Sequence, residues 1–224
     1  MDIIILGAKN PETGRVIAAV EAAGTDDRFV GFLDNNHANL PATVCGLPVL
    51  GGFEQLDGLI ADGCAFANTI TGSTVSRYET SGEVTRRGGR LASLIHPGVT
   101  VNGPIGAGAY IQEQVILQAG VEIGENCALN AGGIVSHETI LGGSVFLAPG
   151  VRIAGEVRIG DGALVGVGAV IAPRLTIGKW STIGAGAVVI RDVPDYAVVA
   201  GNPAAAIKSN ERRYDAAVLP GPAQ

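Results

Sequence analysis

Aromatic side chains are scarce in this sequence. They make up 4% of the 224 residues, with a single tryptophan, whereas glycine occurs 34 times and 47% of the residues are hydrophobic. This combination is unusual for a globular protein and argues against a core built around large rings. A chain that buries many small aliphatic groups instead needs a regular and narrow core.

Cysteine is also rare. Cys45, Cys64 and Cys127 are odd in number and lack any CxxC or Cys/His spacing, which argues against a disulfide framework and a zinc site. We therefore expect reduced, structural thiols and no metal.

Positive charge and long apolar runs are missing as well. The formal net charge of -6 leaves no basic field, so nucleic acid and anionic membrane surfaces are poor candidate partners. No apolar segment approaches the roughly 20 residues of a membrane-spanning helix. The start, MDIIILGAKN, lacks the positive charge and the apolar length of a secretory signal. These features predict a soluble, cytoplasmic protein.

A six-residue repeat dominates the second half of the chain. Every sixth residue from Val99 to Val189 is aliphatic, and glycine often follows it, as in IGAG, IGEN, IGDG and VGVG. This period fits neither an α-helix nor a half-buried strand, but a chain that runs straight for a few residues and then turns. Short strands of that kind stack on the equivalent strand of the next coil, with the aliphatic residues inside. The repeat predicts a parallel β-solenoid.

The first 95 residues or so have a different pattern. IIILGA and FVGFLDNN are typical of buried strands, and TGRVIAAVEAAG and FEQLDGLIADG of helices. Strands that alternate with helices predict a small parallel α/β sheet, whose ligands bind at the carboxyl ends of the strands. Gly7 and Ala8 in GAKNPETG match a dinucleotide fingerprint only loosely, so they form either a ligand-binding turn or a plain tight turn. Asp34, followed by Asn35, either binds a nucleotide or merely ends the second strand.

The stretch NAGGIVSHETILGG places ionisable groups where polar side chains are sparse. It contains the adjacent pair His137 and Glu138, with Asn130 seven residues before the histidine. A lone histidine in apolar surroundings is more often structural than catalytic. His96, which precedes a proline and has no carboxylate beside it, is expected to be structural.

Several motifs together resemble one family. ILGA, FLDNN, GLPVLGG, LIHPGV, NAGGIVSHE, APGVRIAGEVRIGDGALVGVGAVI and VAGNPA are similar to those of the sialic-acid O-acetyltransferase and bacterial sugar N-acetyltransferase family, over nearly the whole chain. The resemblance implies an α/β plus all-β fold. A small Rossmann-like, nucleotide-sugar-binding domain occupies residues 1–95, a left-handed parallel β-helix with 18-residue coils occupies residues 96–207, and a C-terminal tail occupies residues 208–224.

The resemblance also implies a catalytic site on the β-helix. His137 would act as general base, Glu138 would polarise its ring, and Asn130 would belong to the same site. The backbone N–H of Gly155 would hold the acetyl carbonyl. Because 18 residues separate Gly155 from His137, the two should stack on adjacent coils about 5 Å apart, a geometry suited to acyl transfer.

The resemblance further implies where the substrates bind. Acetyl-CoA would lie between two subunits of a homotrimer, against backbone groups at Gly155, Val167 and Ala185, with Pro203 near the adenine. A nucleotide-linked amino sugar would bind the strand ends of the N-terminal domain. Family members commonly carry a second histidine where this chain has Phe146, so the acceptor contacts differ there.

These expectations predict acetyl transfer from acetyl-CoA to the amino group of a 4-amino-4,6-dideoxy nucleotide sugar. Two alternatives stay open. A sugar O-acetyltransferase of the sialic-acid type would need the same base. A non-catalytic trimeric β-helix scaffold would need neither His137 nor Glu138 and would not bind CoA.

Overall fold

The N-terminal part of the chain forms a six-stranded sheet with helices packed against it. The computed structural model describes residues 1–210. The strands are β1 (Asp2–Leu6), β2 (Arg28–Leu33), β3 (Thr43–Val44), β4 (Leu47–Gly51), β5 (Ala65–Asn68) and β6 (Arg90–Leu91). Their order is β3-β4-β2-β1-β5-β6, and every pair except β3 with β4 is parallel. The central strand β1 is buried from Ile3 to Leu6 on both faces, as parallel sheets require.

Three α-helices connect these strands. They are α1 (Thr13–Ala22), α2 (Leu56–Ala61) and α3 (Thr74–Arg86), with single 3-10 turns at His37–Asn39 and Phe53–Gln55. The side chain of Ser73 caps α3 by accepting a hydrogen bond from the Ser76 N–H. The alternation of strand and helix confirms the α/β prediction for this part.

From Leu94 onward the chain consists of very short strands. The two-residue strands β7 to β21 are, in order, Leu94–Ile95, Tyr110–Ile111, Ile116–Leu117, Glu122–Ile123, Ala128–Leu129, Ile134–Val135, Ile140–Leu141, Phe146–Leu147, Arg152–Ile153, Arg158–Ile159, Leu164–Val165, Val170–Ile171, Thr176–Ile177, Thr182–Ile183 and Val188–Val189. A final antiparallel hairpin comprises β22 (Ala197–Ala200) and β23 (Ala205–Ser209).

These short strands form three sheets that wind around one core. The sheets have the orders β10-β13-β16-β19, β9-β12-β15-β18-β21 and β7-β8-β11-β14-β17-β20-β22-β23, and we call them the four-, five- and eight-stranded sheets. Ile134, for example, pairs with Ile116 and with Arg152, each 18 residues away. This register confirms a parallel β-helix with three hexads in each coil.

The hexad residues form the predicted internal ladder. Those from Ile111 to Val189 are all buried, whereas Ile105, near the open end, is only half-buried. At the corners, every sixth residue from Gly108 to Gly186 has a positive φ between 53° and 74°. This left-handed conformation costs most residues roughly 1–2 kcal/mol but glycine very little, and glycine occupies seven of these fourteen corner positions.

The three corners of the β-helix have different compositions. Corner 1, between the four- and eight-stranded sheets, contains Gly108, Asn126, Ser144, Gly162 and Trp180 at its positive-φ positions. Corner 2, between the eight- and five-stranded sheets, contains Gln114, Gly132, Gly150, Gly168 and Gly186. Corner 3, between the five- and four-stranded sheets, contains Gly120, Glu138, Glu156 and Arg174.

The two parts of the chain share a continuous core. Val16 and Ile17 of α1 belong to the same buried cluster as Tyr110 and Ile111 of β8. The predicted boundary at residue 95 stays a prediction, and most of the predicted tail, 208–224, lies outside the described residues. No helix within residues 1–210 has the length and apolarity to cross a membrane.

Candidate active site

His137 is held by its backbone while its ring reaches solvent. It lies at corner 3, directly before Glu138. Its N–H donates to Gln118 Oε1 (3.2 Å), and its carbonyl accepts from the Glu156 N–H (2.9 Å) on the next coil. The side chain is 55% exposed, and Nδ1 lies 3.5 Å from Glu138 Oε2. A carboxylate on the Nδ1 side favours a proton there and leaves Nε2 to accept one.

Gly155 lies directly against the other edge of the His137 ring. A β-carbon placed at Gly155 would be 2.4 Å from His137 Nε2 and 2.5 Å from Cε1. The imidazole therefore occupies the space that any larger residue would fill, and the two residues stack as their 18-residue separation predicts. Among residues 1–210, the structure records no hydrogen-bond acceptor for the Gly155 N–H. At the equivalent position of corner 1, by contrast, Asp161 Oδ1 accepts from the Gly143 N–H (2.7 Å).

The other predicted β-helix residues lie at corner 2 of the same chain. Asn130 is 5% exposed and donates through Nδ2 to the Leu147 carbonyl (2.7 Å). Val167 and Ala185 lie 18 residues apart along this corner, and Pro203 lies in the turn between β22 and β23, where Gly201 and Ala204 bond to Val188. One chain therefore does not bring these four residues to His137.

The five-stranded sheet separates corner 2 from corner 3. Its outward residues include Ile116 and Val170, which are 51% and 39% exposed, and the half-buried Ile134 and Val188. The one charged residue in this row, Arg152, turns its guanidinium toward corner 2, where it donates to the carbonyls of Gly132 and Gly150. The face between corners 2 and 3 is thus mainly apolar.

A small charged cleft adjoins corner 3 on the side of the four-stranded sheet. It has a volume of about 400 Å³ and is lined by Glu138, Glu156, Arg158, Arg174, Leu175 and Thr176. Arg174 Nη1 lies 3.7 Å from Glu156 Oε1. Glu138, next to the predicted base, lines this polar space, whereas His137 itself does not.

A larger cavity, of about 750 Å³, lies at the carboxyl ends of β1, β2 and β5. Gly7, Asp34 and Asn35 line it, as predicted, whereas Ala8 is buried and does not. Asp34 Oδ2 accepts from the Ala8 N–H (3.0 Å), and Oδ1 accepts from the Asn36 N–H (2.8 Å). The carboxylate thus ties the loops after β1 and β2 together at the edge of the cavity.

Much of this cavity is not predicted by the sequence. Further lining residues come from the loop after β1, the loop after β5 and the start of α3: Lys9, Asn10, Thr69, Thr71, Ser76, Glu79 and Thr80. The polar run that follows CAFAN could have indicated Thr69 and Thr71 in the loop after β5, because the carboxyl ends of parallel strands meet at one edge of a sheet.

Two further residues are placed away from the His137 ring. Phe146 faces outward on the eight-stranded sheet and is 8% exposed. His96 Nδ1 accepts from the Gly98 N–H (3.1 Å), a local contact at the join between the two parts. Over the described range, 1–210, no three His, Cys, Asp or Glu side chains are grouped to hold a metal ion.

Comparisons with known proteins agree with this fold. The sequence profile of the family described as bacterial transferase hexapeptide (six repeats) matches residues 156–191. A histidine-to-asparagine variant of perosamine N-acetyltransferase from Caulobacter crescentus, in complex with CoA and GDP-perosamine, is 30% identical. The match covers 93% of this chain and 98% of that one, with a TM-score of 0.83.

Two more solved structures are similar over most of their length. The acetyltransferase domain of PglB from Neisseria gonorrhoeae, in complex with acetyl coenzyme A, is 29% identical, covers 92% of this chain and 98% of its own, and has a TM-score of 0.82. WeeI from Acinetobacter baumannii is 26% identical over 92% of this chain and 100% of its own, with a TM-score of 0.80. A comparison with curated protein sequences gave no significant match.

The chain therefore belongs to the hexapeptide-repeat family of sugar N-acetyltransferases and is an acetyltransferase of that class.

Proposed function

We propose that this protein transfers the acetyl group of acetyl-CoA to the amino group of a 4-amino-4,6-dideoxy sugar carried on a nucleotide. The observation that carries this proposal is the contact of the His137 ring with Gly155, whose N–H has no acceptor within residues 1–210. A base beside a free backbone donor is what attack on a thioester carbonyl needs. The relatives support the substrate class, since one binds CoA with GDP-perosamine and another binds acetyl-CoA.

The proposed reaction uses one base and one oxyanion donor. The acceptor amine attacks the thioester carbonyl, and a C–N bond forms. His137 Nε2 takes the proton from the attacking nitrogen while Glu138, beside Nδ1, stabilises the imidazolium. The Gly155 N–H binds the developing oxyanion. As the C–S bond breaks, the imidazolium returns its proton to the CoA thiolate, so no acyl-enzyme is formed.

The acceptor is proposed to bind the cavity of the N-terminal domain. This cavity is large enough for a nucleotide and lies at the strand ends where ligands of such sheets bind. Gly7, with a φ of 91°, lets the backbone come close to a ligand there. Asp34 and Asn35 offer polar groups at the rim, and Ala8 acts indirectly through its hydrogen bond to Asp34.

We also propose that the active assembly is a homotrimer with the five-stranded sheet facing the threefold axis. Each β-helix has the shape of a triangular prism. When three of them form a closed ring and each turns its five-stranded sheet toward the axis, corner 3 of each copy meets corner 2 of the next. Asn130, Val167, Ala185 and Pro203 of one copy would then lie beside His137 and Gly155 of its neighbour. The main-chain N–H groups of Val167 and Ala185 have no acceptor within residues 1–210 and could hold the donor.

Light scattering tests the assembly. Val170→Glu, at the exposed apolar face, should give monomers that lack activity, because a buried unpaired charge opposes association. Ile207→Glu is the matched control, since Ile207 is 64% exposed on β23 and away from that face. A trimeric, active Val170→Glu protein would refute the proposed interface.

The reaction itself is tested by mass spectrometry. Acetyl-CoA is supplied with nucleotide-linked 4-amino sugars and with their 4-hydroxyl counterparts, each with UDP, GDP or dTDP. The proposal predicts one acetyl group on the amine. Acetylation of a hydroxyl alone would favour the O-acetyltransferase, and failure to bind CoA would favour the scaffold.

A further inference from the structure

A buried arginine crosses the boundary between the two parts of the chain. Arg77 lies on α3 and is fully buried. Its guanidinium donates to the carbonyls of Gly108 (2.9 Å), Asn126 (2.9 Å) and Cys127 (3.2 Å), which belong to two successive coils at corner 1. It also donates to the carbonyl of Asn68, the last residue of β5. One side chain thus joins α3, the end of β5 and the β-helix.

The charge of Arg77 has no carboxylate partner among the described residues. Burial lowers the pKa of Arg77 to about 10, so the guanidinium remains charged at neutral pH. An unpaired buried charge stabilises a fold less than an apolar side chain of similar volume would. What a planar guanidinium with several fixed donors does provide is a defined orientation between the groups that it binds.

A second bridge runs beside the first. Ser81, one turn further along α3, donates to Asn126 Oδ1 (2.7 Å) and accepts from Asn68 Nδ2 (2.8 Å). Asn126 Nδ2 then donates to Ser144 Oγ (2.9 Å) on the next coil. Asn68 Oδ1 accepts from the Ile70 N–H (3.0 Å). Every one of these side chains is buried, so the network is shielded from water.

The elements joined by this network also form the large cavity. The loop after β5 contributes Thr69, Ile70 and Thr71 to its lining, and α3 contributes Ser76, Glu79 and Thr80. The neighbouring residues Arg77 and Ser81 of the same helix bind corner 1 instead. The β-helix is a continuous hydrogen-bonded ladder. If α3 and the cavity that it lines are fixed in orientation relative to corner 1, they are therefore fixed relative to corner 3 as well.

We propose that Arg77, with Ser81 and Asn126, positions the acceptor cavity relative to the transfer site, so that the sugar of a bound nucleotide reaches His137. This inference rests on the proposed function. Arg77 is a positioning residue, because it contacts neither the cavity nor the reacting groups. It acts through the backbone of corner 1, whichever copy in the assembly supplies the base.

The test is Arg77→Met in the full-length protein. A misplacement of about 1 Å costs on the order of 10²-fold in rate, so we expect kcat to fall about 10- to 100-fold. The KM values for the acceptor and for acetyl-CoA should stay within about threefold of wild type. Calorimetric titration with CoA should show an unchanged number of sites, because the donor site is remote from corner 1. Arg77→Lys, which keeps the charge but loses the fork of donors, should restore activity in part.

A matched control lies on the same helix. Arg86 is exposed and pairs with Glu83 within α3, so Arg86→Met should leave kcat unchanged. If Arg77→Met does not fold, Ser81→Ala and Asn126→Gly carry the same prediction with a fall of at least about threefold. Glycine suits position 126 because Asn126 has a φ of 57°.

Two results would overturn the inference while leaving the proposed function intact. One is an unchanged kcat in all three variants, and the other is a fall in kcat that matches the loss of CoA-binding sites, as simple instability would give. A wild-type protein that acetylates no nucleotide-linked amino sugar would instead remove the proposed function, and this inference with it.

Discussion

Replacing Gly155 with alanine tests the geometry of the proposed site most directly. The backbone of Gly155 lies outside the left-handed region, so alanine fits its conformation. The added methyl, however, would lie 2.4 Å from His137 Nε2, whereas ordinary van der Waals contacts of a β-carbon begin at 3.4 Å. The imidazole must therefore move by about 1 Å or rotate away, and a displacement of that size costs on the order of 10²-fold in kcat.

The same substitution should hardly change stability. The His137 side chain is 55% exposed and can turn into solvent. Alanine also restricts the unfolded chain more than glycine does, which adds about 0.4–1 kcal/mol to the free energy of unfolding. The Gly155 N–H is retained, so acetyl-CoA affinity should also stay near wild type. A fall in kcat without a change in folding would thus report on the position of the ring.

Release of the CoA thiol, followed in a continuous assay with the acceptor found by mass spectrometry, measures the effect. The matched control is Gly143→Ala, at the equivalent position of corner 1, where an added methyl would meet its nearest neighbour at 3.6 Å. It should retain wild-type kcat. A Gly155→Ala protein that is as active as this control would show that His137 does not act from its observed position.

Three further predictions concern the base, the acceptor cavity and the core. His137→Asn should lower kcat by about 10²–10⁴-fold with little change in acetyl-CoA affinity, and Glu138→Ala should lower it less; full activity of His137→Asn would leave positioning of the amine as the whole mechanism. Asp34→Ala removes the acceptor for two backbone N–H groups and should raise the acceptor KM much more than the acetyl-CoA KM, whereas equal effects would indicate a purely structural carboxylate. Burial raises the pKa of the Cys127 thiol from 9.0 to about 12, so its contribution to stability is complete below pH 9 and is lost at about 1.4 kcal/mol per pH unit above it. Urea unfolding between pH 8 and 10 should show this loss in wild type and a smaller one in Cys127→Ala; parallel curves would contradict it.

Much of the β-helix follows from local sequence alone. The side chain of every sixth residue must be apolar to fill the interior, and the residue at each corner must tolerate a positive φ. Both demands repeat with the coil, so the sequence reveals the 18-residue register and, through it, the stacking of Gly155 on His137. The α/β pattern of the first half is equally local, because period-2 and period-3.6 patterns reflect burial within single elements.

The composition of the acceptor cavity was harder to predict. The ends of β1 and β2 were found because carboxylate and amide groups follow apolar runs. Asp34 is visible in the sequence, but the use of both its oxygens by Ala8 and Asn36 is not. The contribution of α3 was missed since its polar residues face the cavity only after the helix has docked.

Two features of this protein depend on tertiary structure alone. The residues expected to form one site divide between corners 2 and 3, because consecutive hexads lie on different sides of the triangular coil. A repeat period alone does not show which residues lie at the same corner. Arg77 looks like an ordinary exposed residue in the polar stretch STVSRYETSGE. It becomes a buried link between the two parts because α3 packs against corner 1, bringing together segments up to 50 residues apart along the chain. Periodic patterns determine how each part folds, whereas the fit between unlike surfaces decides how the parts are joined.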